Sequence, residues 1–170
     1  EGSNSCSFKA TIWKVWAPGK NTMFLWLLHL NRLWCNDRLQ QRGWPNAYFC
    51  QLCVRNLESS MHLFWQCPLS LEVWTMAAAR GGCSSLHPLQ WQNKTKPTAI
   101  IAAMLGAARP EHKKALKATI ILILSEIWKA RNESTFGGKM ATRASITAAI
   151  QRTLEFWRQV GAAFLEHPFW

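Results

Sequence analysis

Three cysteines and a histidine, Cys50, Cys53, His62 and Cys67, follow the spacing C-x2-C-x8-H-x4-C. A C-x2-C turn aims two thiolates at one centre, and a helical turn that follows can bring an imidazole and a third thiolate to the other half of a tetrahedron. Zinc suits that donor set. Four protein ligands leave no open position for a reacting water, so the spacing predicts one structural Zn2+ per chain rather than a catalytic one. Zinc in small sites of this kind is worth roughly 10–16 kcal/mol, against about 5–15 kcal/mol for a whole domain, so residues 47–68 are expected to need the metal for their fold. The plainer alternative is three buried cysteines and a surface histidine that lie near one another by chance; iron–sulfur ligation ordinarily takes four thiolates.

Nothing else in the chain has the makings of a reaction centre. Asp37 is the only aspartate, whereas two-metal phosphoryl transfer gathers several carboxylates in one place. A G-x-S-x-G elbow, a phosphate-binding glycine loop and an H-E-x-x-H helix are absent from the sequence, which predicts a non-enzymatic protein. His29, His87, His112 and His167 lack a second ligand at metal spacing. Cys6, Cys35 and Cys83 read as small hydrophobes. An odd set of three cannot fully pair within one chain, so a reducing, intracellular setting is expected rather than secretion.

The chain is strongly basic, with 20 Lys and Arg against 9 Asp and Glu and a net charge of +11. The bias is steepest up to the metal loop. Lys9, Lys14, Lys20, Arg32, Arg38, Arg42 and Arg55 stand there against Glu1 and Asp37 alone. Such a lobe suits phosphate-rich partners, RNA or DNA, and Lys14, Lys20, Arg32, Arg38, Arg42 and Arg55 are the candidate nucleic-acid-binding residues. Trp13, Trp16, Trp34 and Trp44, interleaved with them, offer planes for stacking unpaired bases, although a core position is the commoner fate of any single Trp. The apolar run at 118–124 falls short of the ~20 residues a membrane span requires, so no membrane partner is expected. The sequence does not begin with Met and no basic-then-apolar leader precedes Phe8, so it reads as a fragment without a secretory signal.

The elements that position these residues are predicted to be helical throughout. Residues 1–20 form a basic, aromatic lead-in broken by Pro18 and Gly19. Residues 21–80 form the zinc-binding helical unit, with Asn21 or Thr22 capping a helix that carries Phe24, Leu27, Leu28 and Leu30, and Asn36 capping a short one stopped by Gly43. A further helix presents His62, Leu63 and Phe64, and another carries Val73 and Trp74. Residues 81–97, rich in Gly, Ser, Pro and Asn, read as a linker. Residues 98–170 form a C-terminal helical region, in which the faces of Leu116, Ile120, Ile123, Leu124 and Ile127 and of Ile146, Ile150, Leu154 and Trp157 pair as a hairpin about Gly137-Gly138. The expected class is all-α: a small CCHC zinc-stapled unit followed by a helical hairpin or bundle.

The ordered run Ile12-Trp13-Lys14-Val15-Trp16-Ala17-Pro18, Phe24-Leu25-Trp26-Leu27, Asn31-Arg32-Leu33, Asp37-Arg38-Leu39 and Arg42-Gly43 resembles the zinc-binding domain near the C-terminus of reverse transcriptases of plant LINE-type (non-LTR) retrotransposons. The continuation through Cys50, Cys53, Glu58, His62-Leu63-Phe64, Cys67-Pro68 and Val73-Trp74 resembles it as well, so the likeness spans about residues 8–76. Ile127-Trp128-Lys129-Ala130-Arg131-Asn132 and Phe136 are similar to the helical tail that follows that domain. The resemblance implies a non-catalytic accessory module that grips template RNA or target DNA, with upstream reverse transcriptase domains as partners and a ribonucleoprotein in the nucleus or cytoplasm as its setting. Two residues depart from the pattern: Gly19 stands where a second proline is usual, and Val54 where glycine is common, a position at which a positive φ is expected. A competing reading is a structural or protein-interaction scaffold whose apolar face docks on the polymerase or another partner.

Overall fold

The computed structural model describes residues 16–165; Cys6, Lys9, Trp13, Lys14 and His167 lie outside the described residues. The fold is all-α, as expected. Its helices are α1 (Gly19–His29), α2 (Asn36–Gln41), α3 (Pro68–Arg80), α4 (Pro97–Gly106), α5 (Lys113–Phe136) and α6 (Arg143–Gln159), with a π turn at His62–Gln66 ahead of α3. Among the described residues the sole β pairing is an isolated antiparallel bridge between Phe49 and Leu57.

α1 starts at Gly19, ahead of the expected caps, because Pro18 takes the N-cap position with φ −53°; its carbonyl accepts from the Asn21 and Thr22 N–H groups at 2.8 and 3.2 Å. A proline here forfeits no helical hydrogen bond. Asn21 and Thr22 are then free to turn inward, and both are buried. The helix ends in a Schellman motif: the Asn31 N–H reaches the Leu28 carbonyl at 3.0 Å and the Arg32 N–H reaches that of Leu27 at 2.7 Å. Asn31 sits at φ +51°, a conformation Asn tolerates better than most residues. α2 closes in the same way, with Gly43 at φ +67°.

α5 is the central helix. Leu116, Ile120, Ile123, Leu124 and Ile127 are buried as the periodicity predicts, and so are Ala118, Ile121 and Leu122 on its other faces, the signature of a helix surrounded by protein. α6 packs on it through Ile146, Ile150, Leu154 and Trp157. A capping box, in which Thr142 Oγ1 accepts from the Ser145 N–H at 3.1 Å and Ser145 Oγ accepts from the Thr142 N–H at 3.0 Å, restarts the chain as α6. One hydrophobic core runs from Phe24 through the metal loop to Leu165.

Residues 81–97 lack helical periodicity, and the backbone there forms two short 3-10 turns, Ser84–Leu86 and Pro88–Gln90. They nevertheless pack firmly. Leu86 and Trp91 are buried, and Trp91 meets Trp65 and Trp74 edge-on at 5.6 and 6.2 Å. Burying a large apolar side chain contributes about 1.5–3 kcal/mol whatever the backbone form. No helix among the described residues is long and apolar enough to cross a membrane.

Candidate metal centre

The backbone from Phe49 to Leu57 doubles back on itself. The Cys50 N–H bonds the Asn56 carbonyl at 2.8 Å, the Val54 N–H bonds the Cys50 carbonyl at 2.8 Å, and the Glu58 N–H bonds the Tyr48 carbonyl at 2.9 Å. This turn points Cys50 and Cys53 to one side. Opposite them, Ser59 caps the next element by accepting from the His62 N–H at 3.0 Å, and the π turn sets His62 beside Cys67 through a Cys67 N–H to His62 carbonyl bond of 2.6 Å. A π turn leaves carbonyls at its end without helical partners. Ser70 Oγ donates to the Leu63 carbonyl at 2.6 Å and Trp74 Nε1 to that of Phe64 at 2.9 Å, so α3 stabilises the turn that carries His62 and leads to Cys67.

The four donor atoms of Cys50, Cys53, His62 and Cys67 lie within 4.8 Å of one another. Cys50 Sγ and Cys67 Sγ are 3.9 Å apart, and Cys53 Sγ and His62 Nε2 are 3.3 Å apart. Tetrahedral zinc, with bonds of about 2.3 Å to sulfur and 2.0–2.1 Å to nitrogen, sets donor separations of about 3.5–3.8 Å, so the cluster fits one zinc ion. Cys50, Cys67 and His62 are buried and Cys53 is half-buried. A hydrogen bond from the Cys50 thiol, opposed by burial, lowers the Cys67 thiol to about 4. The same bond, with burial, pushes Cys50 up. His62 is raised, chiefly by its hydrogen bond to Cys67.

Val54 has φ +54°, which realises the left-handed residue that the comparison with glycine implied. A β-branched side chain strains there, and Val54 is 70% exposed, so it gains little packing in return. Val54→Gly is expected to stabilise the zinc-loaded chain by about 1 kcal/mol, read as a higher midpoint in thermal unfolding; a lower midpoint would refute the strain.

A second set of side chains holds the metal loop in place. Arg131 of α5, 2% exposed, forms a fork on Glu58: Nε donates to Oε1 and Oε2 at 3.1 and 3.0 Å, and Nη2 donates to Oε1 at 2.6 Å. Nη2 also donates to Asn36 Oδ1 at 3.1 Å. Asn36 in turn gives its N–H to Glu58 Oε1 at 2.9 Å and its Nδ2 to the Phe49 carbonyl at 3.0 Å, next to Cys50. Sequence reasoning gave Glu58 and Arg131 no role. An acid amid a basic lobe and an arginine directly after an apolar face were the available signals.

Of the candidate nucleic-acid-binding residues, Lys20, Arg32, Arg42 and Arg55 are exposed, Arg38 is half-buried and Lys14 lies outside the described residues. Lys20 opens α1 and Arg32 follows its end, about 18 Å away along the axis. Arg42 is brought together with two of the predicted tryptophans. Trp34 and Trp44 are 43% and 49% exposed and stack with centroids 5.2 Å apart at 27°. The Arg42 guanidinium lies 5.0 and 5.7 Å from their rings. Trp16 instead meets Trp157 and Phe164 edge-on at 5.7 and 5.9 Å. Cys35 is buried, and burial pushes its thiol up; Cys83 contacts Ser85 Oγ at 3.1 Å.

Residues 1–74 match the family described as zinc-binding in reverse transcriptase, so the resemblance carried by the ordered motifs is borne out over that stretch. The chain is also 31% identical over 71 residues to an Arabidopsis thaliana protein provisionally named as a ribonuclease H protein. That alignment covers 42% of this chain and 12% of the relative. No solved structure matches the chain.

Proposed function

Proceeding from residues 1–74 as a stretch similar to the zinc-binding domain of reverse transcriptases, we propose that the protein is a zinc-stapled nucleic-acid-binding module of a retrotransposon reverse transcriptase. It grips template RNA or target DNA and performs no chemistry of its own; the polymerase domains of the parent protein are its partners, in an intracellular ribonucleoprotein. The observation that carries this reading is the solvent-facing stack of Trp34 and Trp44 with Arg42 against it. Exposed indoles are costly to leave in water unless a partner uses them, and stacking of an unpaired base on an aromatic ring is worth about 1–3 kcal/mol. Arg32, Arg38 and Arg55 supply phosphate contacts in the same lobe.

The zinc-loaded chain is expected to bind labelled single-stranded RNA and DNA with an affinity that falls linearly on a log–log plot against salt, as counterion release requires. Arg38→Ala and Arg42→Ala should each reduce that slope by about 0.7 and weaken binding evenly across sequences. Negligible binding at low salt overturns the reading. A scaffold role has its own support in Phe49, Val54 and Leu57, all exposed on the metal hairpin. Under that reading, substituting them would disrupt association with the polymerase domains while leaving RNA affinity intact.

A further inference from the structure

Beside α1 and α5 the surface opens into a cleft of about 260 Å³ whose walls include Phe24, Leu27, Leu33 and Trp128. Lys20 and Lys129 stand on the same lining, and the uncharged polar side chains on it are those of Asn21 and Ser125. These two are only 3% and 4% exposed, yet Asn21 Oδ1 and Ser125 Oγ have no hydrogen-bond partner among the described residues. A buried polar atom left unpaired costs about 1–3 kcal/mol, so two of them on one cleft call for an occupant that hydrogen-bonds.

Lys20, Asn21 and Lys129 also line a neighbouring hollow of about 360 Å³, which continues to Arg152 and Phe156 of α6. Lys20 and Arg152 are exposed and form no ion pair among the described residues. Lys129 pairs with Glu126, whose Oε1 also accepts from Thr153 Oγ1 at 3.0 Å. Three cations against one acid leave the groove positive.

The class of ligand follows from what each part demands. An aliphatic group would leave Asn21 and Ser125 unpaired, and a small anion would make no use of four apolar walls. A nucleobase brings flat apolar faces, an edge of alternating donors and acceptors, and phosphates tethered on either side. A carboxamide such as that of Asn21 offers one donor and one acceptor side by side, the arrangement that reads a base edge. The cleft has room for one base and none for a duplex. We propose that this cleft binds one unpaired nucleobase of single-stranded nucleic acid, with the flanking phosphates on Lys20, Lys129 and Arg152. The inference rests on the nucleic-acid reading above and adds to it a base-binding site that the Trp34–Trp44 stack does not supply.

The test uses the full zinc-loaded chain, fluorescence anisotropy and three labelled octamers: oligoadenylate as RNA, the same as DNA, and an abasic strand of equal charge. Asn21→Leu and, separately, the near-isosteric Ser125→Ala should lower affinity for the base-bearing octamers about tenfold. Affinity for the abasic strand and the salt slope should stay as in the parent. Melting temperature should hold or rise, since each variant removes an unpaired buried polar group. Lys20→Ala with Arg152→Ala should instead reduce the salt slope for all three strands, by about 0.7 per lost phosphate contact. A difference between the RNA and DNA arms assigns the sugar preference of the same site. If the parent binds RNA and neither Asn21→Leu nor Ser125→Ala weakens binding, the cleft holds only water and the proposal is overturned while the nucleic-acid reading stands. If the parent binds none of the octamers at low salt, both fall.

Discussion

Exchange of Cys67 for Ser will remove stoichiometric zinc and unfold the loop from Ala47 to Pro68. Cys67 offers one of the four clustered donor atoms, lies 3.9 Å from Cys50 Sγ and is the residue at which the π turn hands over to α3. Zinc at such sites supplies roughly 10–16 kcal/mol, as much as or more than the about 5–15 kcal/mol that holds a typical domain folded. The Phe49–Leu57 pairing is a single bridge and cannot replace it. Metal content per chain should fall from one to none, and chelator should lower the unfolding midpoint of the parent but not of Cys67→Ser. A parent protein that melts at one temperature with and without zinc would sink the structural role.

Acid should act in the same direction. The Cys50–Cys67 hydrogen bond holds the Cys67 thiol below its ordinary range and the Cys50 thiol above it, and His62 is raised, chiefly by its hydrogen bond to Cys67. Zinc needs Cys50 deprotonated and His62 neutral, so binding expels protons. Affinity must therefore weaken as pH falls through and below the raised His62 range. Titrations in buffers of different ionisation enthalpy read the proton release directly.

Arg131→Met is expected to have the next largest effect. It leaves the Glu58 carboxylate, 1% exposed, with no cation in the core, and breaking a buried pair from one side costs about 3–5 kcal/mol. For a chain of 170 residues each kcal/mol corresponds to about 2–4 °C, so the zinc-loaded variant should melt about 10 °C lower. Arg131→Met with Glu58→Gln should cost much less than the sum of the two single changes, since the second removes the charge the first had stranded. Additive losses would mean that the fork is not the link. Because Glu58 and Asn36 also hold the backbone at Phe49, the single variant should bind zinc more weakly, as loss of a ligand's supporting contacts does by about 10–100-fold.

The Cys3His cluster was legible because a tetrahedral donor set imposes its spacing on the chain, and the central hairpin because Leu116, Ile120, Ile123 and their partners in α6 repeat at the helical period. The Arg131–Glu58 fork was not. Its partners are 73 residues apart, and an ion pair of that kind leaves no periodic trace. Residues 81–97 show a related limit of sequence: turn-forming residues announce irregular backbone, but whether Trp91 swings out or packs edge-on against the stacked pair Trp65 and Trp74 is decided by shape in three dimensions. The tryptophans divide along the same line. Trp16 and Trp34 look alike in sequence, and only the folded chain sends the first against Trp157 and the second into solvent beside Trp44.

Along an ordinary α-helix five residues sweep about 500°, which would leave the side chain of Cys67 some 140° around the axis from that of His62. The wider winding at His62–Gln66 cancels most of that offset. The length of this stretch is therefore a fixed gauge: deleting or adding one residue between the histidine and the last cysteine would swing a sulfur away from its three companions.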